Sequence, residues 1–198
     1  MCFLPLRQSF FVSYTMVMLY TGKGDNGTTK LFGCDQRVAK SSTIAEALGS
    51  VDEINSLLGV VKMQAVDVIA VEGKSYHQLL SDVQQDLFVV QAQLAGANKH
   101  MTEDRVKKVE QWIAIIESEL PPITSFFVSG GTLLGATCDF ARTVARRAER
   151  RIVSALEIPD LTQKPPMFAY MNRLSSLLYA LARLANHRGG INEEKPHY

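Results

Sequence analysis

Five arginines stand close together, Arg142, Arg146, Arg147, Arg150 and Arg151, in the run FFVSGGTLLGATCDFARTVARRAERR that spans Phe126 to Arg151. At about 100° per residue, Arg142, Arg146, Glu149 and Arg150 share one helical face, while Arg147 and Arg151 fall on the other flank of an apolar stripe. A guanidinium grips phosphate or carboxylate through two parallel N–H donors, so three of them on one face form a candidate anion site. Two other readings stay open. A solvated basic helix end is stabilised by the helix dipole and by local pairs with Asp139 or Glu149, and a basic stripe also suits nucleic acid.

The second candidate is YTGKGDNGTTKLFG, residues 20–33. Gly22, Gly24 and Gly27 satisfy G-x-G-x-x-G, yet Thr28, Thr29 and Lys30 follow where a dinucleotide fold needs a helix, and Thr28 stands where a P-loop needs lysine. The residue types still suit phosphate. Glycines free backbone N–H groups to face an anion, threonines donate, Lys23 and Lys30 supply charge, and Asp25 is available to a magnesium ion. A plain surface turn is the alternative. Two polar insertions complete the candidates. Asp52, Glu53, Asn55 and Ser56 fall in the middle of a helical pattern, where capping does not explain them, so Asp52 is either a partner for a helix arginine or part of an exposed face. Asn172 and Arg173 open the last helix, facing either solvent or a site at the bundle's end.

The net charge is +1 and the pI about 7.7. No protein-wide field for nucleic acid exists, which leaves the arginine cluster a local feature and counts against a nucleic-acid partner. Cys2, Cys34 and Cys138 are scattered, without a C-x-x-C pair, and His77, His100, His187 and His197 are isolated. That pattern predicts a reducing, cytoplasmic setting without a zinc centre. Residues 1–19 have short apolar runs broken by Gln8, Ser9, Ser13 and Thr15, so neither a signal peptide nor a membrane span is expected. They are read as a flexible or over-called extension, with Met16 or Met18 as alternative starts.

The elements that must position these residues are helices. Apolar residues recur at three and four over 44–65 (Ile44, Leu48, Val51, Leu58, Val61, with one gap at Asn55), over 74–98 (Leu80, Val83, Leu87, Val90, Leu94, Ala97) and from Val106 to Leu120, which Pro121 and Pro122 close. Trp112 beside the third stripe is read as packing. The arginine helix starts after Gly130 and Gly131 with Thr132 as N-cap, follows a stripe of Leu134, Cys138, Ala141, Ala145, Ala148, Ile152 and Ala155, and stops at Pro159. Its small residues allow close helix neighbours. The last helix runs from Met167 through Ala185 to Gly189 and Gly190. Five long amphipathic helices, without clear strands beyond the start, predict an all-α, five-helix up-and-down bundle (ferritin-like) with a glycine-rich N-terminal loop. The bundle is placed at 20–190, followed by a tail at 191–198.

Taken together, Y-T-G-K-G-D-N-G, S-V-D-E-I-N-S, F-F-V-S-G-G, A-R-T-V-A-R-R-A-E-R-R and M-N-R-L-S resemble the PduO-type ATP:cob(I)alamin adenosyltransferases over residues 20 to about 188. The resemblance implies a trimer of five-helix bundles, with ATP in the cleft between neighbouring subunits and corrinoid beside it. Thr21, Gly22, Lys23, Gly24, Thr29, Lys30 and Lys40 would wrap the triphosphate with magnesium. Arg146, Arg147, Ala148, Glu149, Arg150 and Asn172 would hold the nucleotide. Asp52 and Arg142 match an ion pair across the subunit interface. Phe126 matches an aromatic that closes the lower corrinoid face and keeps the axial base from cobalt, easing reduction of Co(II). The resulting Co(I) attacks the 5′ carbon of ATP and expels triphosphate, so no general base is required.

The sequence departs from the family pattern twice. Gly22 stands where T-K-x-G-D has lysine, and Lys23 is expected to replace that contact. Ser129 precedes Gly130 where proline is common, which is expected to loosen Phe126. A flavoprotein reductase and a cobalamin-dependent enzyme are the protein partners the resemblance suggests. The alternative is an ATP- or corrinoid-binding sensor or carrier bundle without turnover.

Overall fold

A computed structural model of the chain describes residues 19–31, 36–71, 73–156 and 165–197. Of the expected extension at 1–19 only Leu19 is described, and the expected helix stop at Pro159 lies outside the described residues. Five helices form the body: α1 (Thr43–Met63), α2 (Tyr76–Leu94), α3 (Glu103–Glu119), α4 (Leu133–Leu156) and α5 (Pro166–Arg188). Helix α1 packs against α2 and α4, and α5 against α4 and α3. The five-helix bundle is therefore as expected, and none of its helices is long and apolar enough to cross a membrane.

The stripe on α4 explains its central place. Cys138, Ala141, Ala145, Ala148 and Ile152 are wholly buried, and four of these five are small enough to let α1 and α5 approach on either side. Buried polar groups are paired where α2, α3 and α5 meet. Asp86 takes an ion pair from Arg105 and a 3.0 Å hydrogen bond from the Tyr170 hydroxyl, and the Tyr76 hydroxyl donates to the Leu181 carbonyl at 3.0 Å. Trp112 is 4 % exposed and packs under the Lys108 ammonium, 4.9 Å from the ring centre, as its packing role required.

Two small antiparallel hairpins accompany the helices. The first, β1 (Thr28–Lys30) with β2 (Arg37–Ala39), pairs Thr29 with Val38 and follows the glycine-rich segment. The second, β3 (Ile69–Val71) with β4 (Lys74–Ser75), was not expected and corrects the start of α2. Lys74 and Ser75 belong to the hairpin, and Ser75 then closes a capping box with Gln78, taking its N–H at 3.2 Å and returning its own at 2.9 Å. The helix also ends sooner than its apolar pattern suggests. Gly96 turns the chain at φ +85° and the Ala97 N–H caps the Ala92 carbonyl at 2.9 Å, so Ala97 falls past the last turn.

Candidate functional site

The glycine-rich segment is a turn wound around one arginine. Gly22 and Gly27 have φ of +67° and +78°, backbone that residues with a Cβ rarely adopt. Arg37 of β2 reaches back to this turn. Its Nε donates to Thr28 Oγ1 at 2.7 Å, and its Nη2 donates to the carbonyls of Lys23 at 2.6 Å and Thr28 at 2.9 Å. The Lys40 N–H donates to the Gly27 carbonyl at 2.9 Å, and its Nζ rests on Gly24, 3.2 Å from where a Cβ would stand. Gly22, Lys23, Gly24 and Lys40 thus surround one turn, which Thr21 enters by accepting the Lys23 N–H at 3.4 Å. Thr29 and Lys30 continue along β1, the first half-buried and the second exposed, on opposite faces of the strand.

The two arginine flanks of α4 have different surroundings. Arg147 pairs with Glu53 and Arg151 with Glu46, both across to α1. Arg146 and Arg150, on the other flank, are exposed and have no ion-pair partner among the described residues. Between them Glu149 accepts a 3.2 Å hydrogen bond from the Asn172 amide, whose oxygen takes one from Arg173 at 2.7 Å. Ala148 is fully buried. Asp52 is exposed on α1, with no ion-pair partner among the described residues, and Arg142 binds Asp139 through Nε at 2.6 Å. Within one chain, therefore, Asp52 and Arg142 do not meet, and no helix packs broadly on the glycine hairpin.

Arg142 and Arg146 instead face a cavity of about 790 Å³ bounded by the loop at 123–131, by α4, by α5 and by residues 191–194. Phe126 lines it and is 81 % exposed. Tyr179 lines it from α5, with its ring 5.9 Å from the Arg142 guanidinium. The Phe126 loop enters α4 through a clamp formed by Asn186 of α5. Asn186 Oδ1 accepts the Thr132 N–H at 2.9 Å and the Thr132 hydroxyl at 3.1 Å, and its Nδ2 donates to the Gly130 carbonyl at 2.9 Å. Thr132 is the N-cap, as expected, and accepts the Gly135 N–H at 3.0 Å. Gly131, at φ +96°, is needed here because a Cβ would stand 2.7 Å from Asn186 Cγ.

Ser129 lines the same cavity, one residue before Gly130. Asp139 lines it too, and Arg142 holds its carboxylate through Nε at 2.6 Å. Burial pushes the Asp139 carboxyl up, but the hydrogen bond and charge of Arg142 outweigh it and leave the group below its ordinary value of 3.8. A folded value below the unfolded one contributes stability above 3.8, lost as pH falls through the lowered value. The tie is thus intact throughout the neutral range. Cys138, beside Asp139, is pushed up to about 12 by burial and then by the Asp139 charge, so its thiol stays neutral and outside any chemistry at the cavity.

Arg37, Tyr179, Arg183 and Asn186 are the residues that sequence reasoning missed. Only Arg183 had a signal, a charge inside the apolar run Leu-Leu-Tyr-Ala-Leu-Ala-Arg-Leu-Ala. The partners of Arg37 and Asn186 are set by the fold.

The profile of one protein family, described as cobalamin adenosyltransferase, matches residues 19–185. The chain belongs to the cobalamin adenosyltransferase family. Among its relatives in that family, the corrinoid adenosyltransferase of Mycobacterium leprae is 34% identical over 183 residues, covering 86% of this chain and 92% of the relative. The corrinoid adenosyltransferase PduO of Citrobacter freundii is 35% identical over 176 residues, covering 85% of this chain and 50% of that protein. The chain thus spans about half the length of the PduO relatives it matches. A variant PduO-type ATP:corrinoid adenosyltransferase from Lactobacillus reuteri, complexed with cobalamin and ATP, superposes with a TM-score of 0.79 at 29% identity, covering 91% of this chain and 97% of that one. The family fold of that neighbour is the bundle described above.

Proposed function

We propose that this chain transfers the 5′-deoxyadenosyl group of ATP to cob(I)alamin, forming adenosylcobalamin and triphosphate. The observation that carries this reading is the cavity with an exposed phenylalanine on one wall and two arginines on another, in a chain of this family. The Co(I) electron pair attacks the ATP 5′ carbon, the bond to the 5′ oxygen breaks, and triphosphate leaves with that electron pair. The protein's task is orientation and neutralisation of the leaving charge. Phe126 forms the apolar floor under the corrinoid, and Arg146 and Arg150 meet the nucleotide with the Glu149–Asn172 pair between them.

ATP binding is assigned to a cleft between subunits of a homotrimer. Two features support it. The glycine turn and the arginine face each suit an anion, yet no helix packs broadly on the hairpin that follows the turn, and α1 and α4 expose Val60, Met63, Leu133 and Phe140, apolar surface that a neighbour would cover. Asp52 would then meet Arg142 of the next subunit. Magnesium, when bound with the triphosphate, supplies charge neutralisation. The donor set fits, because this ion takes one or two carboxylates together with phosphate oxygens, and Asp25 is the carboxylate of the glycine turn.

The deciding experiment is anaerobic. The full chain receives ATP, magnesium and chemically reduced cob(I)alamin, and the cobalt spectrum and triphosphate are followed. A light-sensitive alkylcobalamin with one triphosphate per cobalt is expected. ATP binding with an unchanged spectrum would instead identify a sensor or carrier.

Lys23→Ala tests the turn. Because Gly22 is left-handed, the family lysine would be strained there, and Lys23 takes over the phosphate. We expect the apparent KM for ATP to rise about tenfold, near 1.4 kcal/mol, with the corrinoid constant unchanged. An unaltered KM would shift the contact to Lys30 or Lys40.

A further inference from the structure

Arg183 is a charged residue in the core. It is 6 % exposed, between Ala182 at 4 % and Leu184 at 0 %, and a buried guanidinium persists only with its donors satisfied. Its partners come from two distant segments. Nε and Nη2 donate to the two carboxylate oxygens of Glu193 at 2.7 and 2.8 Å. Nη2 also donates to the Pro121 carbonyl at 3.0 Å, and the cation lies 5.3 Å from the centre of the Phe127 ring. The tail continues the contact, since the Glu194 carbonyl accepts the Val128 N–H at 2.8 Å.

These ties bracket Phe126. Residues 121–131 contain neither helix nor strand, so their polar backbone depends on such partners for a fixed course. One tie holds Pro121, the next holds the Phe127 ring, and the last holds Val128. Phe126 itself lines the cavity, together with Glu193 and Glu194.

We propose that Arg183 and Glu193 are positioning residues of the corrinoid site: their buried ion pair latches residues 191–194 against the 121–128 loop and so sets where Phe126 stands. The identity of the ligand rests on the transferase reading above. Both also line the cavity, but the role assigned to them is one of position. They act through the phenylalanine.

The test uses the full chain with Glu193→Ala, and with Glu193→Gln as the variant that keeps the shape and part of the hydrogen bonding. Hydrogen exchange of the 121–131 segment and the apparent constants for corrinoid and ATP are measured in each. For Glu193→Ala we expect exchange and the corrinoid constant each to rise about tenfold, equivalent to about 1.4 kcal/mol, with the ATP constant unchanged. Glu193→Gln should fall between the two proteins. Unchanged exchange would overturn the latch, and faster exchange with an unchanged corrinoid constant would overturn its positioning role. Equal loss toward both substrates would do the same, by showing general damage. The exchange readout needs no substrate. A wild-type protein that makes no adenosylcobalamin would therefore sink the transferase reading separately from the latch.

Discussion

Phe126→Ala should lower the rate of adenosylation from cob(II)alamin about a hundredfold, or about 2.7 kcal/mol, without moving the thermal midpoint. The two halves of this expectation have different causes. Phe126 is 81 % exposed, so truncating it removes little packing, and such surface changes stay within about 0.5 kcal/mol of stability. Its proposed work lies in the reaction. An apolar wall beneath the corrinoid excludes water and the axial base, and cobalt without that fifth donor accepts an electron more readily. Supplying chemically reduced cob(I)alamin bypasses that step, so the variant should recover most of its rate in that assay. Parallel assays from Co(II) and from Co(I) measure the difference. Equal loss in both would assign Phe126 to corrinoid binding alone, and normal turnover from Co(II) would remove it from the mechanism.

Gly135→Ala should destabilise the fold by about 2 kcal/mol, although alanine is the better helix former by about 1 kcal/mol. A Cβ at Gly135 would stand 2.9 Å from Asn186 Cγ and 3.0 Å from Thr132 Oγ1. Asn186 is not free to yield, because three hydrogen bonds tie it to Gly130 and Thr132. Losing three bonds at about 1 kcal/mol each outweighs the gain in propensity. Gly49→Ala on α1 is the control, since a Cβ there meets nothing within 4 Å, and it should stabilise by the propensity alone. At matched concentration, the midpoint should fall by about 4–8 °C for the first and rise by about 2–4 °C for the second. A rise in both would show that the Asn186 clamp does not hold the turn.

The helices were legible because each repeats an apolar residue every three or four positions over four or more turns. The ends were less so. The β3–β4 hairpin has strands of three and two residues, too short for an alternation to stand out, and it took Lys74 from the predicted helix.

By itself the sequence determined the five-helix bundle, the N-cap at Thr132, the small-residue stripe of α4 and the presence of two arginine flanks, because all follow from local spacing along one helix. Only the tertiary structure decided what each flank faces. Arg147 and Arg151 are drawn to Glu53 and Glu46 on α1, while Arg142 and Arg146 border the Phe126 cavity. The same holds for Arg37 around the glycine turn, Asn186 beneath Gly130 and Arg183 on Glu193. A hydrogen bond forms between whatever polar groups packing brings within about 3 Å, and packing is a property of the assembled helices.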